Sequence, residues 1–210
     1  MKWIQIPLGP LQTNCYIIYT DRKSCLIIDP GEEAGKLFSA IEAEELKPQA
    51  VLLTHAHFDH IGAVDAVREM FDIPVYVHEK EANWLGDPTL NGSEFFMAGK
   101  IRAKAADHFL AAANERTIGD FNFQVFETPG HSPGSISIYF KEADFVAAGD
   151  ALFNGSIGRT DLPGGNHDQL IKSIHDHLLT LPEETAVLPG HGPTTTIGAE
   201  MDGNPFLNGF

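Results

Sequence analysis

Thr54-His55-Ala56-His57-Phe58-Asp59-His60 decides how this chain is read, because three imidazoles and a carboxylate follow directly on the apolar run Ala50-Val51-Leu52-Leu53. The pattern is that of a metal site opening at a strand end. Alternate residues of an extended segment point the same way, so His55 and His57 can grip one ion. Asp59 and His60, where the chain should turn into a helix, face a second. Three further candidates lie at or just after the ends of apolar, strand-like runs: His131 in Thr128-Pro129-Gly130-His131-Ser132-Pro133-Gly134, Asp150 in Gly149-Asp150, and His191 in Leu188-Pro189-Gly190-His191-Gly192. Gly130, Gly134, Gly149, Gly190 and Gly192 read as residues that let the backbone turn sharply beside a ligand. His78, His108, His167, His175 and His177 lack such contexts and read as ordinary surface or core imidazoles.

Taken in order, HxHxDH, TPGHSPGS, GD and PGHG cover almost the whole chain, and this series resembles the metallo-β-lactamase superfamily, within it the glyoxalase II-like hydrolases. The resemblance implies an α/β (α+β) fold, an αββα sandwich of two mixed sheets flanked by helices. It implies a single domain over residues 1–210, without the C-terminal helical domain of full-length glyoxalase II. It also implies a two-metal site in which His55, His57 and His131 hold the first ion, Asp59, His60 and His191 the second, and Asp150 bridges. The implied cofactors are two divalent ions, Zn first, with Fe or Mn as further options.

A metal pair brings a shared water toward ionisation at neutral pH. The leading expectation is therefore hydrolysis of a hydroxyacyl-thiol thioester by a metal-bridging hydroxide, with Asp59 as catalytic group orienting the hydroxide or relaying its proton. In the loop 149–162, Arg159 matches the basic position that contacts the glutathione part of the thioester in glyoxalase II enzymes. Asp161 stands where those enzymes carry a tyrosine, and the bland reading of Arg159 is an ion pair with Asp161 or a neighbouring acid. The Gly158-Arg159-Thr160-Asp161 form also occurs in persulfide dioxygenases, so a mononuclear iron dioxygenase using two histidines and Asp150 is the alternative. A non-catalytic metal-binding protein ranks third, because seven ligands exceed what a closed structural zinc site needs. A β-lactamase role is disfavoured by Asp150 at a position where many of those enzymes have cysteine, and a flavodiiron role by His57 in place of Glu.

The chain has 210 residues, 43% of them hydrophobic, enough for a sizeable core. No apolar stretch is long enough to span a bilayer, and the N-terminus has no signal-like apolar region, so a cytoplasmic protein with no membrane partner is expected. The formal charge of -15, with 14 basic against 29 acidic residues, argues against nucleic acid as a partner. The expected partner is a small thioester, drawn to the site by the local positive charge of the ions. Oligomeric state is not legible. Cys15 and Cys25 lie on the arms of a hairpin turning at Asp21-Arg22-Lys23, which sets them about 13 Å apart at ~3.3 Å per residue, too far for a disulfide.

Strands are expected at 3–7, 14–20, 24–29, 50–53, 74–78, 121–127, 135–140, 145–148 and 186–188, from β-branched and aromatic runs between turn residues. Helices are expected at 33–46, closed by Pro48, at about 61–71, and at 167–179. The alternation suggests partly parallel sheets in two similar halves. Residues 79–116, with Trp84, Phe95, Phe96, Met97 and Phe109 among Gly, Asp, Pro and Asn, read either as a lid or as a helical excursion packing its aromatics.

Overall fold

The computed structural model describes residues 1–96 and 99–207, and Met97 falls outside them. The chain divides into two compact units, Met1–Leu110 with Thr117–Phe121, and Ala111–Arg116 with the chain from Asn122 onward. Each carries its own six-stranded mixed sheet.

In the first unit the strands are β1 (Lys2–Leu8), β2 (Thr13–Tyr19), β3 (Ser24–Ile28), β4 (Lys47–Leu52), β5 (Val75–Val77) and β6 (His108–Phe109), hydrogen-bonded in that order. β1, β2 and β3 are antiparallel neighbours; β3, β4, β5 and β6 run parallel. β2 and β3 are near-continuous apolar runs because they are buried on both faces. Helices α1 (Ala34–Ala43), α2 (Phe58–Ile61) and α3 (Val64–Phe71) occupy the parallel crossovers. Leu37 and Ile41 of α1, with Val64 and Val67 of α3, join Ile17, Ile27, Val51 and Val75 in one core.

The second sheet runs β14-β13-β10-β9-β8-β7, built from β7 (Ala113–Ile118), β8 (Phe121–Glu127), β9 (Ile136–Phe140), β10 (Phe145–Gly149), β13 (Ala186–Pro189) and β14 (Thr195–Thr196). A small hairpin, β11 (Leu152–Phe153) with β12 (Ser156–Ile157), follows β10. α4 (His167–Ser173) and α5 (Ile197–Gly203) complete the unit, whose core gathers Val146, Leu152, Leu170, Ile174, Val187 and Ile197. β10 and β13 pair in parallel in this sheet, whereas β10 with β9, β13 with β14 and β8 with β9 are antiparallel.

Several expectations shift. The helix expected to Leu46 ends at Ala43, because Glu45 takes a left-handed φ of 54° and Lys47 and Pro48 already belong to β4. Pro48 is tolerated there because the ladder to β3 changes register beside it. The helix expected from Ile61 to Phe71 is two helices: the Ala63 N–H turns aside to the Pro30 carbonyl at 3.0 Å and interrupts the ladder. Beyond Ser173 the third helix widens into a π-turn, with Leu179 N–H reaching the Ile174 carbonyl at 2.9 Å. Residues 79–116 form no α-helix among the described residues, correcting the helical alternative. A 3₁₀ turn at Glu79–Glu81 is followed by irregular chain that buries Trp84 and Leu85. Buried Asn91 ties that chain together, its amide donating to the Trp84 and Ile101 carbonyls at 3.0 Å each.

The cysteines behave as expected. Tyr19 opposes Cys25, and Cys15 and Cys25 are free and buried. Among the described residues, no helix is long and apolar enough to cross a membrane.

Candidate metal centre

Both units place candidate ligands beyond the carboxyl ends of a parallel strand pair, and the second adds one from an antiparallel loop. In the first unit the pair is β3 and β4. Asp29 follows β3, and Thr54, His55 and His57 follow β4, before α2 carries Asp59 and His60. His55 is 1% exposed, His57 6% and His60 0%. The three rings converge: His55 and His57 lie edge to face with centroids 4.8 Å apart, and His55 and His60 are 4.1 Å apart. Buried imidazoles this close disfavour one another's protonated forms, whereas neutral rings can each offer a nitrogen lone pair to a cation.

The orientation of these rings is set by residues that sequence reading did not single out. Asp29, 2% exposed, accepts from the Thr54 backbone N–H at 2.8 Å and the Thr54 hydroxyl at 2.6 Å. Its Oδ2 also lies 3.0 Å from His60 Nδ1. With its acceptors so engaged, Asp29 is a positioning carboxylate: it holds the proton on His60 Nδ1 and leaves Nε2 for an ion. Fully buried Glu81 does comparable work on the backbone, accepting the Ala56 N–H at 2.6 Å and so pinning the residue between His55 and His57. The Thr13 hydroxyl donates to Asp59 Oδ2 at 2.7 Å, and Trp84 leans on His57 with centroids 5.6 Å apart. An acid at a strand end, as Asp29 is, could have flagged the first of these; for Glu81, 25 residues from Ala56, the sequence carries no signal.

In the second unit the parallel pair is β10 and β13, followed by Asp150 and by Gly190-His191. His131 sits in the β8–β9 loop. His131 Nε2 and His191 Nε2 lie 3.6 and 3.5 Å from the same atom, Asp150 Oδ2. Those separations are long for hydrogen bonds but close to the ~3.3–3.4 Å between neighbouring donors on a tetrahedral ion with bonds near 2.05 Å. In the first unit His60 Nε2 and Asp59 Oδ2 are likewise 3.5 Å apart. The donor set fits divalent metal. His131 Nδ1 donates to the Arg159 carbonyl at 2.8 Å, which again fixes the tautomer that presents Nε2.

The loop carrying Asp150 folds tightly. A Cβ added at Gly158 would stand 1.8 Å from the Asp150 carbonyl oxygen and 3.2 Å from His131 Cβ, so only glycine allows that approach. Buried Glu200 of α5, also unread in the sequence, clamps the β11–β12 hairpin by accepting from Gly155 N–H, the Thr195 hydroxyl and the Asn204 amide at 2.9, 2.7 and 2.7 Å. Arg159 makes two hydrogen bonds to the Asp161 carboxylate, 2.7 and 2.8 Å, and is half exposed. The guanidinium holds the Asp161 carboxyl down at about 2. The histidines set aside have other company: His78 Nδ1 accepts from Lys80 N–H, His108 packs on Tyr76, and His177 stacks on Phe126.

Residues 8–191 match the family model of the metallo-beta-lactamase superfamily. The chain is 56% identical over 210 residues to the probable metallo-hydrolase YqgX of Bacillus subtilis, covering 100% of this chain and 99% of that protein. It is 38% identical over 204 residues to the hydroxyacylglutathione hydrolase GloC of Haemophilus influenzae, covering 97% and 96%. Among solved structures, BLEG-1 B3 metallo-beta-lactamase superposes with a TM-score of 0.97 at 57% identity over 99% of this chain and 100% of that one. TTHA1623 in a di-iron-bound form gives 0.86 at 43% identity over 97% and 100%. Mixed sheets with flanking helices, strand-end imidazoles and carboxylates, and a match over most of the length agree: the chain belongs to the metallo-beta-lactamase superfamily, as a metal-dependent hydrolase of that fold.

Proposed function

We propose that this chain hydrolyses a small hydroxyacyl-thiol thioester with two divalent ions, Zn in the first instance. His55, His57 and His131 would hold one ion, Asp59, His60 and His191 the other, and Asp150 both. The observation that carries the reading is the pair of imidazole nitrogens aimed at one oxygen of Asp150 at 3.5 and 3.6 Å, the geometry of a shared carboxylate. The GloC relative's name supports the thioester class.

Bound ions supply an activated water and polarise the carbonyl under attack. The chain's own residues do the rest. Asp59, its Oδ2 fixed by Thr13, orients the nucleophile and accepts its proton. Asp29 and the Arg159 carbonyl keep His60 and His131 in the tautomers that present Nε2. The leaving thiolate needs little protonation, so a separate general acid is dispensable. The Arg159 guanidinium, held in place by Asp161, would contact the carrier thiol.

The decisive experiment pairs metal analysis with anaerobic turnover. Two ions per chain and cleavage of a lactoyl thioester without oxygen uptake are expected. Asp150→Ala should lose both ions and His191→Ala one; two tightly held ions in Asp150→Ala would sink the dinuclear assignment. A second reading, opening of a β-lactam ring, is favoured by the 57% identity to a B3 metallo-beta-lactamase. A chromogenic cephalosporin assayed beside the thioester separates the two by kcat/KM.

A further inference from the structure

A cavity of about 480 Å³ opens beside Asp59, wholly within the first unit. That volume lies in the range of small-ligand pockets. Leu8, Leu11, Phe58 and Phe96 supply its apolar walls, and Glu32 and Asp59 are the charged residues among those described that line it. Among the described residues no lysine or arginine lines it. Phe58 and Phe96 stack with centroids 5.6 Å apart at 23°, a continuous aromatic wall that starts one residue from a candidate ligand. Glu32 rests on the β1–β2 turn: a Cβ added at Gly9 would come within 3.1–3.2 Å of three of its side-chain atoms.

We propose that this cavity selects the acyl group of the substrate and that Glu32 sets its charge preference. It takes an uncharged, apolar substituent next to the scissile carbonyl and turns away one that ends in a carboxylate. The apolar walls gain from burying hydrocarbon, whereas an acidic substituent would meet the Glu32 carboxylate, on the part of the wall away from the proposed ions, with no lysine or arginine among the described lining residues. The inference rests on the proposed hydrolysis for its kinetic arm, and its binding arm is independent of it.

The test uses thioesters of one uncharged thiol, N-acetylcysteamine, with lactoyl, mandeloyl and malyl groups: small, aromatic and carboxylate-bearing. The metal-loaded protein should prefer mandeloyl over lactoyl, and lactoyl over malyl, by about ten-fold each in kcat/KM. Glu32→Gln should raise the malyl-to-lactoyl ratio about five- to ten-fold, and Leu11→Ala, a half-exposed position that does not threaten folding, should lower the mandeloyl-to-lactoyl ratio. In parallel, binding of mandelamide and of succinamate, which carry no thioester, is followed by NMR shifts at Leu11 and Phe96. Preferential binding of mandelamide, with succinamate admitted by Glu32→Gln, upholds the pocket even if no thioester is cleaved, an outcome that would instead remove the hydrolysis reading. Equal turnover of malyl and lactoyl esters, unchanged by Glu32→Gln, overturns the proposal and leaves hydrolysis standing.

Discussion

Asp29 accepts from three donors at once, the Thr54 N–H, the Thr54 hydroxyl and His60 Nδ1. Asp29→Ala should therefore cost about 3–5 kcal/mol of stability, as expected when one partner of a buried charged network is removed. Metal affinity should fall about 10- to 100-fold, because His60 loses the bond that fixes its tautomer. Urea unfolding and metal titration measure the two effects; Asp29→Asn, which keeps one acceptor oxygen, should fall between. Glu81→Ala tests the backbone counterpart. It orphans the Ala56 N–H in a buried place, a loss of about 1–3 kcal/mol. If metal affinity in Glu81→Ala stays at the parent value, the pinning of Ala56 does not matter for the ligands on either side.

Among the elements, α2 is positioned by backbone packing that only glycine permits. A Cβ at Gly31 would stand 2.1 Å from the Asp59 carbonyl oxygen, and one at Gly62 2.3 Å from the Gly31 carbonyl oxygen. Gly31→Ala should thus push α2 away from the β3–α1 connection and weaken metal binding together with stability. Gly35→Ala makes the contrast, since nothing lies within 4 Å of its added Cβ inside α1. It should stabilise the protein by roughly 0.5–1 kcal/mol through helix propensity. Thermal unfolding of the pair checks both signs, and a Gly31→Ala protein as stable as Gly35→Ala would refute the packing account. The same scale explains what the sequence makes legible. Strands β2, β3, β9 and β10 are readable because burial on both faces demands largely apolar runs, and the ligand histidines because each follows the end of a strand-like stretch, alternating in β8 before His131. Edge strand β7, Ala113–Ile118, escapes because four of its six residues face solvent and carry no alternation. The short β11–β12 hairpin and α5 escape because they are held by Glu200 and Asn204, polar contacts across some 45 residues that no local pattern announces. Glu81 is unread for the same reason, its partner Ala56 lying 25 residues away, whereas Asp29 had a strand-end position that could have flagged it.

At the scale of the whole molecule, the two thiols couple the stability of the first core to pH. Burial is the main cause that raises both, pushing Cys25 up to about 12 and Cys15 well above its ordinary value, with Asp29 and Cys25 adding to the latter. In the unfolded chain a thiol ionises near 9, so above that pH the unfolded state sheds a proton that the folded state keeps. The contribution is fully present below pH 9 and is lost as pH climbs from 9 toward 12, at about 1.4 kcal/mol per thiol per pH unit. Buried Tyr16, also raised by desolvation, adds the same sign of effect above pH 10. Urea unfolding between pH 8 and 10.5 should therefore show stability falling with a slope that Cys25→Ala reduces and Cys15→Ala with Cys25→Ala reduces further. Because neither thiol is a candidate ligand, the slope should be present with and without metal. A slope left intact by the double variant would assign the alkaline loss to other groups, and rapid reaction of either thiol with an aromatic disulfide reagent in the native protein would contradict the burial from which the shift arises.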